Sequence, residues 1–291
     1  MDIKDYEGAG KIAAECLEYG KKLIKVNVPL LDIADKVEKK IYDLGGKPAF
    51  PVNLSINEIA AHFTPGIDDS IVFKEGDLVK LDVGVHVDGY IGDNACTIDL
   101  GKNSELVKAS EEALKSALKI VRTGIRLREI GKEIQETIES FEFSPVRNLC
   151  GHQVEEYKQH AGLTIPNYDN GSDVELEDGM IIAIEPFATN GEGIVIDGKP
   201  SGIFRLRQVK NTRNMEGRKI IKFVEDNFKT LPFAKRWLKQ FSNLNFSLTS
   251  LEREGIIEEY RILVERSKGL VSQAEKTVLV GDKAKILTKI D

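Results

Sequence analysis

Between residues 17 and 41 this chain sets a pattern that returns 97 positions later, and that recurrence constrains its fold more than any other feature. Leu17, Ile24, Val28, Leu30, Asp32-Ile33, Val37 and Ile41 come back as Leu114, Val121, Ile125, Leu127, Glu129-Ile130, Ile134 and Ile138. Asn53-Leu54 matches Asn148-Leu149, and Gly76-Asp-Leu-Val-Lys-Leu-Asp82 matches Gly179-Met-Ile-Ile-Ala-Ile-Glu185, which sets an acid on an acid. Cys96-Thr97-Ile98 finds an echo in Lys276-Thr277-Val278, leaving Glu275 within two residues of the place of Asp93. Chance matches a few apolar positions, but rarely helix–helix–strand order, turn glycines and acids together. The reading is an internal duplication with approximate two-fold symmetry, each half offering two strand carboxylates to a shared centre.

Local patterns supply the elements. Residues from about Tyr6 to Val26 read as an amphipathic helix stopped by Pro29, and a second helix opens at Leu31-Asp32-Ile33 and closes at Gly45-Gly46. In Lys80 to Asp93, apolar and polar residues alternate until Asp88-Gly89, a pair suited to a two-residue hairpin turn because both positions need positive φ. Pairing across that turn sets 87 against 90 and 84 against 93, so Asp82 and Asp93 share one sheet face as diagonal neighbours. Two carboxylates that close repel unless a cation lies between them or they share a proton. A solvated hairpin with surface acids is the competing reading. Leu81, Val83, Val85, Ile91 and Ala95 argue for burial instead, and a buried carboxylate pair usually needs metal.

The second copy is interrupted: ninety residues separate Glu185 from Glu275 where the first copy needs about eleven. Within them Asn214–Phe241 reads as helix with a break near Leu231-Pro232, and Thr249–Gly255 as a further helix. We expect one catalytic domain over 1–291, with halves of about 1–101 and 102–291, carrying a helical insert at about 206–262. The formal net charge is −6, which argues against general nucleic-acid binding, yet Lys199 to Lys239 holds twelve Lys/Arg against three acids. That basic excess suggests docking near ribosomal RNA to meet nascent chains; a merely solvated helical face is the competing reading. Cys16, Cys96 and Cys150 are too scattered for a zinc site and odd in number for disulfides, which fits a reducing compartment. No signal peptide and no membrane span is expected, and so a soluble, cytoplasmic protein, taken to be a monomer.

The histidines complete the chemistry. His152 is the nitrogen donor nearest the duplicated acids in the repeat scheme. With Asp82, Asp93, Glu185 and Glu275 it would form an oxygen-rich site for two divalent ions, of manganese, iron, cobalt or zinc. A lone loop histidine is more often structural, but the four acids reverse that weighting. His62 and His160 hold comparable places in the two halves and could hydrogen-bond a scissile carbonyl or its tetrahedral successor, or could be exposed loop residues. His86, beside the turn, reads as structural.

Leu81-Asp82-Val-Gly with Asp93-Asn-Ala, Gly151-His152 with His160-Ala-Gly, Ile184-Glu185-Pro-Phe-Ala-Thr and Gln273-Ala-Glu275 together carry a resemblance. Spanning nearly the whole chain, it is to the methionine aminopeptidases of the pita-bread metallopeptidase family. The insert around Asn227–Leu238 is similar to the one that separates their type 2 from type 1, in a short archaeal-like form without the eukaryotic N-terminal extension. The resemblance implies an α+β pita-bread fold. It implies that Asp82, Asp93, His152, Glu185 and Glu275 hold two divalent cations, with Asp82 bidentate, Asp93 and Glu275 bridging, and Glu185 doubling as proton shuttle. It further implies that His62 and His160 contact the substrate peptide group, that Phe50 lines a methionine pocket and that Tyr260 lies beside the second substrate residue. The expected reaction is removal of initiator methionine from nascent chains when the next residue is small. Lys276 stands where some members carry histidine. A proline-specific relative on the same metal site, and a non-catalytic binding module on the same fold, are the alternatives.

Overall fold

The structure, a computed structural model, describes residues 3–290. Helices α1 (Ile3–Leu23) and α2 (Leu30–Asp43) precede the hairpin Leu78–Val87/Tyr90–Asp99; α3 (Ser104–Ile120) and α4 (Leu127–Ser140) precede the strands Cys150–Gln153 and Ile181–Ile184. In α2 the residues Leu30, Ile33, Val37 and Ile41 are wholly buried, and in α4 so are Ile130, Ile134 and Ile138, because a 3.6-residue period puts these spacings on one stripe. α1 ends six residues before Pro29, which serves instead as the residue capping α2.

The duplication reaches the backbone. Asn27 and Gly124, Gly45 and Glu142, and Gly76 and Gly179 are paired positions that all take the left-handed conformation. Glu142 does so at a cost of roughly 1 kcal/mol that glycine would avoid. Leu30 N–H bonds the Ile71 carbonyl at 3.0 Å as Leu127 N–H bonds that of Val174 at 2.9 Å. Strand register corrects one sequence match. Asn53–Ile56 pairs with Leu78–Val87, and Cys150–Gln153 pairs equivalently with Ile181–Ile184, so Asn53 answers to Cys150 and Ser55 to His152. Asn148-Leu149, two residues earlier, matched by letters alone.

The hairpin has the expected register, with Val87 opposite Tyr90 and Gly84 opposite Asp93. Its outer strand forms the seam between the halves. Thr277 Oγ1 accepts from Asp93 N–H at 2.8 Å and donates to the Asp93 carbonyl at 2.7 Å. Thr97 Oγ1 does the same with Gln273, at 2.8 and 2.7 Å. These two brackets are related by one offset of 180 residues, which makes Gln273 the two-fold mate of Asp93.

The segment between the acids of the second half builds on the strand pair Val195–Leu206 and Ile257–Glu265, the latter also pairing with Ile59–Ala61 of the first half. α5 (Met215–Asn227) stops well short of Phe241, since Lys229 adopts φ +53° and Phe233–Ala234 joins the sheet. α6 (Leu244–Arg253) begins five residues before the expected Thr249. Both helices pack on a cluster including Phe204, Ile220, Val224, Phe233 and Leu251. The fastening to the first half is ionic: Arg236, 6% exposed, grips Glu38 on α2, and the Trp237 indole N–H donates to the same carboxylate at 2.8 Å. Arg236 therefore belongs to the interior, not to a basic docking face. Removing one partner strands a buried charge, so Arg236→Met is expected to cost about 3–5 kcal/mol in urea unfolding. Adding Glu38→Gln should recover part of the loss; unchanged stability in the single variant would refute the fastening.

Candidate metal centre

Every acid singled out in the sequence faces one cavity of about 350 Å³, lined also by Phe50, His62, His152, His160 and Tyr260. Asp82 and Asp93 arrive on the hairpin, Glu185 at the end of Ile181–Ile184, and Glu275 between Val271–Gln273 and Lys276–Leu279. The Glu275 N–H is held by the Ala95 carbonyl at 3.0 Å, so the seam itself brings this acid to the hairpin. Ligand atoms of Asp93, His152 and Glu275 lie within 4.8 Å of one another. His152 Nε2 stands 3.7 Å from Asp93 Oδ2 and 3.8 Å from Glu185 Oε1. The Gln273 amide reaches Asp82 Oδ2 and Glu185 Oε2, each at 3.4 Å, so these two acids converge on one point as well.

This donor set fits divalent cations. Oδ1 of Asp82 and of Asp93 is buried with no hydrogen-bond partner, an arrangement costly for a carboxylate unless a cation sits there. The ring orientation of His152 agrees. Its Nδ1 faces the Gln153 carbonyl at 3.4 Å, which can only accept, so the proton belongs on Nδ1 and the Nε2 lone pair faces the acids. Burial, then the neighbouring His160, pushes the His152 pKa down to about 3, leaving a neutral ligand. The same burial pushes the acids up. Asp82, Glu185 and Glu275 lie well above the ordinary carboxyl range through desolvation and mutual repulsion. Asp93 is raised to about 7, chiefly by desolvation.

These shifts carry a sign. Carboxyls whose folded pKa is raised contribute stability that is complete below about pH 4 and is lost as pH rises through the folded values. Chelated protein should therefore lose stability between about pH 4 and 8, and added manganese should raise Tm more at pH 8 than at pH 5, by on the order of 5–10 °C. Thermal scans with chelator and with manganese across that range would read it, and an equal cation effect at both ends would refute it.

The other cavity residues singled out along the sequence are held from elsewhere. Phe50 packs its ring directly on the backbone of Gly84, where an added Cβ would fall 2.1 Å from Phe50 Cε1; a side chain there would displace the pocket wall. His62 takes φ +64°, a strained conformation of the kind found at functional sites. Its Nδ1 faces the Arg261 carbonyl at 3.2 Å and its ring meets Tyr260 edge-on at 5.3 Å. So the strand Ile257–Glu265 orients a histidine of the first half. The Arg261 carbonyl can only accept, so the proton belongs on Nδ1 and the Nε2 of neutral His62 is left as an acceptor. His160 stands edge-on to His152, 4.4 Å between centroids. His86 is buried away from the cavity, accepting from Gly89 N–H at 3.1 Å in the turn.

Two amides in the centre were not singled out from sequence. Gln273 stands in the sequence only as part of the motif Gln273-Ala-Glu275, and Gln159 donates to Asp93 Oδ2 at 3.2 Å. The 180-residue offset between the two Thr brackets could have flagged Gln273; nothing local marks Gln159.

Comparison with known proteins follows the same lines. The model of metallopeptidase family M24 matches residues 4–222. A methionine aminopeptidase of Archaeoglobus fulgidus is 49% identical over 280 residues, 96% of each chain. The crystal structure of a methionine aminopeptidase from Thermotoga maritima superposes with a TM-score of 0.73 at 28% identity, covering 99% of this chain and 96% of that one. A prolidase from Pyrococcus furiosus shares the fold at a TM-score of 0.64 and 20% identity, with 64% of its chain covered. No helix among the described residues is long and apolar enough to cross a membrane.

Proposed function

The chain belongs to metallopeptidase family M24, and on that premise we infer that it is a methionine aminopeptidase, removing the initiator methionine from polypeptides whose second residue is small. The observation that carries this reading is the buried convergence of Asp82, Asp93, His152, Glu185 and Glu275 in a chain that matches such enzymes along almost its whole length. Those five residues would hold two divalent ions. Bound there, the ions supply Lewis acidity, which polarises the scissile carbonyl and brings a water within reach of deprotonation near neutral pH.

The remaining work falls to the protein. The apolar side of the cavity, with Phe50, takes the methionine side chain and keeps bulk water from the scissile bond. Glu185, in the cavity wall, receives the proton of the attacking water and passes it to the departing amide nitrogen. His62 Nε2 accepts from the N–H of the scissile peptide and so fixes its plane, while His160 faces the charge that grows on the carbonyl oxygen. Tyr260, beside His62, limits the size of the second residue.

Nascent N-termini in the cytoplasm are the proposed substrates, and the protein is proposed to act as a monomer. Docking on ribosomal RNA would rest on exposed cations of the insert such as Lys239, with Arg236 committed elsewhere. The test is methionine release from Met-Ala-Ser against turnover of Met-Pro and Ala-Pro, with cobalt or manganese added. Release from the first peptide alone supports the reading. Preferred cleavage of Ala-Pro would point to a proline-specific relative, and no turnover at all to a binding module.

A further inference from the structure

Next to the metal cavity lies a second cleft of about 270 Å³ that shares His160 and Tyr260 with it as a common wall. Its far side carries Arg205 and Arg207, adjacent same-face positions at the end of the strand Val195–Leu206 and just beyond it, with Lys158 on the opposite lip. Both guanidiniums are drawn to a single oxygen. Glu258 Oε2 receives Arg205 Nη2 at 2.6 Å, Arg205 Nε at 2.8 Å and Arg207 Nη1 at 2.9 Å. One carboxylate charge thus serves two cations; Arg205, 39% exposed, also hydrogen-bonds Tyr260, while Arg207, 52% exposed, keeps the other N–H donors of its fork available. Lys158 is matched by Glu155 at 2.9 Å, so the three cations have two acidic partners and the cleft keeps a positive surplus.

The order of these parts along the wall is that of an extended peptide. On the aminopeptidase reading, the methionine enters beside Phe50 and the second residue passes between His160 and Tyr260. The next residue then arrives in this cleft, since an extended chain advances about 3.3–3.6 Å per residue. We propose that Arg205 and Arg207 form a subsite for a carboxylate carried by the third residue of the substrate, making the enzyme selective beyond the small-second-residue rule. A planar two-oxygen anion is the partner that guanidinium forks match, and a cationic third residue would meet like charge.

The test uses the cation-loaded enzyme and the amidated peptides Met-Ala-Asp-Ala and Met-Ala-Asn-Ala, which differ in charge but hardly in shape. Because the arginines are partly exposed, kcat/KM should favour the aspartyl peptide about three- to fivefold at low ionic strength, mainly through KM. The preference should fade near 0.5 M salt, roughly where screening falls below contact range. R207Q should bring the ratio toward unity, and a Met-Ala-Ala peptide with free or amidated C-terminus shows whether an α-carboxylate serves as well as a side chain. Equal rates for the two peptides at low salt, or a preference that R207Q leaves intact, would overturn the subsite. If neither peptide yields methionine, the aminopeptidase reading itself falls, and the subsite with it.

Discussion

Asp93→Asn abolishes methionine release and, in metal-free protein at pH 8, raises the unfolding temperature above that of the parent. Both halves of this expected result come from one position. Asp93 is 1% exposed, its Oδ1 has no partner, and it is the acid whose atoms lie with those of His152 and Glu275. The amide keeps the shape and can still accept from the Gln159 side chain, so folding is not at issue. What disappears is a buried charge that only a cation compensates. Activity should drop by at least about three orders of magnitude, since the ions are asked for several kcal/mol of barrier reduction. The gain in metal-free stability should be about 1–2 kcal/mol, the size of an uncompensated buried polar group relieved. Manganese should then no longer shift Tm by more than a small fraction of the parental effect. A variant that keeps both its activity and its cation-dependent shift would remove Asp93 from the centre.

His62→Ala and His160→Ala should separate binding of metal from handling of substrate. Each is expected to lower kcat/KM about 10²- to 10³-fold, the usual size of a lost hydrogen bond to the reacting group. The manganese-induced rise in Tm should survive in both, because neither ring is among the residues proposed to hold cations. The two should differ in origin. His62 owes its orientation to the Arg261 carbonyl and the Tyr260 ring, so Tyr260→Ala should impair the same step as His62→Ala. His160 instead leans on His152, and its loss should also loosen that ring. Loss of the thermal shift in His62→Ala would place this histidine in the wrong role.

Much of this was readable along the chain, for reasons that differ by residue. The hairpin register followed from Asp88-Gly89 and the alternation around it, because a two-residue turn and a period of two leave one pairing open. The buried stripes of α2 and α4 followed from their 3.6-residue spacing. The carboxylates Asp82 and Glu185 were marked by the repeat, which the backbone reproduces down to paired left-handed residues. Matching letters misled at Asn148-Leu149, where the strand pairing runs two residues later. The limits of α5 and α6 also differ from those the helical spacing predicts, since the chain from Phe228 to Asn243 packs by aromatic contacts among Phe223, Phe228, Phe233 and Trp237 and not by a helical stripe.

The pattern of residues by itself determined a duplicated helix–helix–strand design and named the acids that design would bring inward. Tertiary structure alone decided which of them meet. The Thr97 and Thr277 brackets, the hold of the Arg261 carbonyl on His62, the Gln159 and Gln273 amides and the burial of Arg236 join residues 66 to 199 positions apart. Period and turn chemistry act over a few residues, whereas closing one edge strand on another depends on the shape and hydrogen-bonding groups of both halves at once. Such contacts leave no local signal in either partner until the two are set side by side.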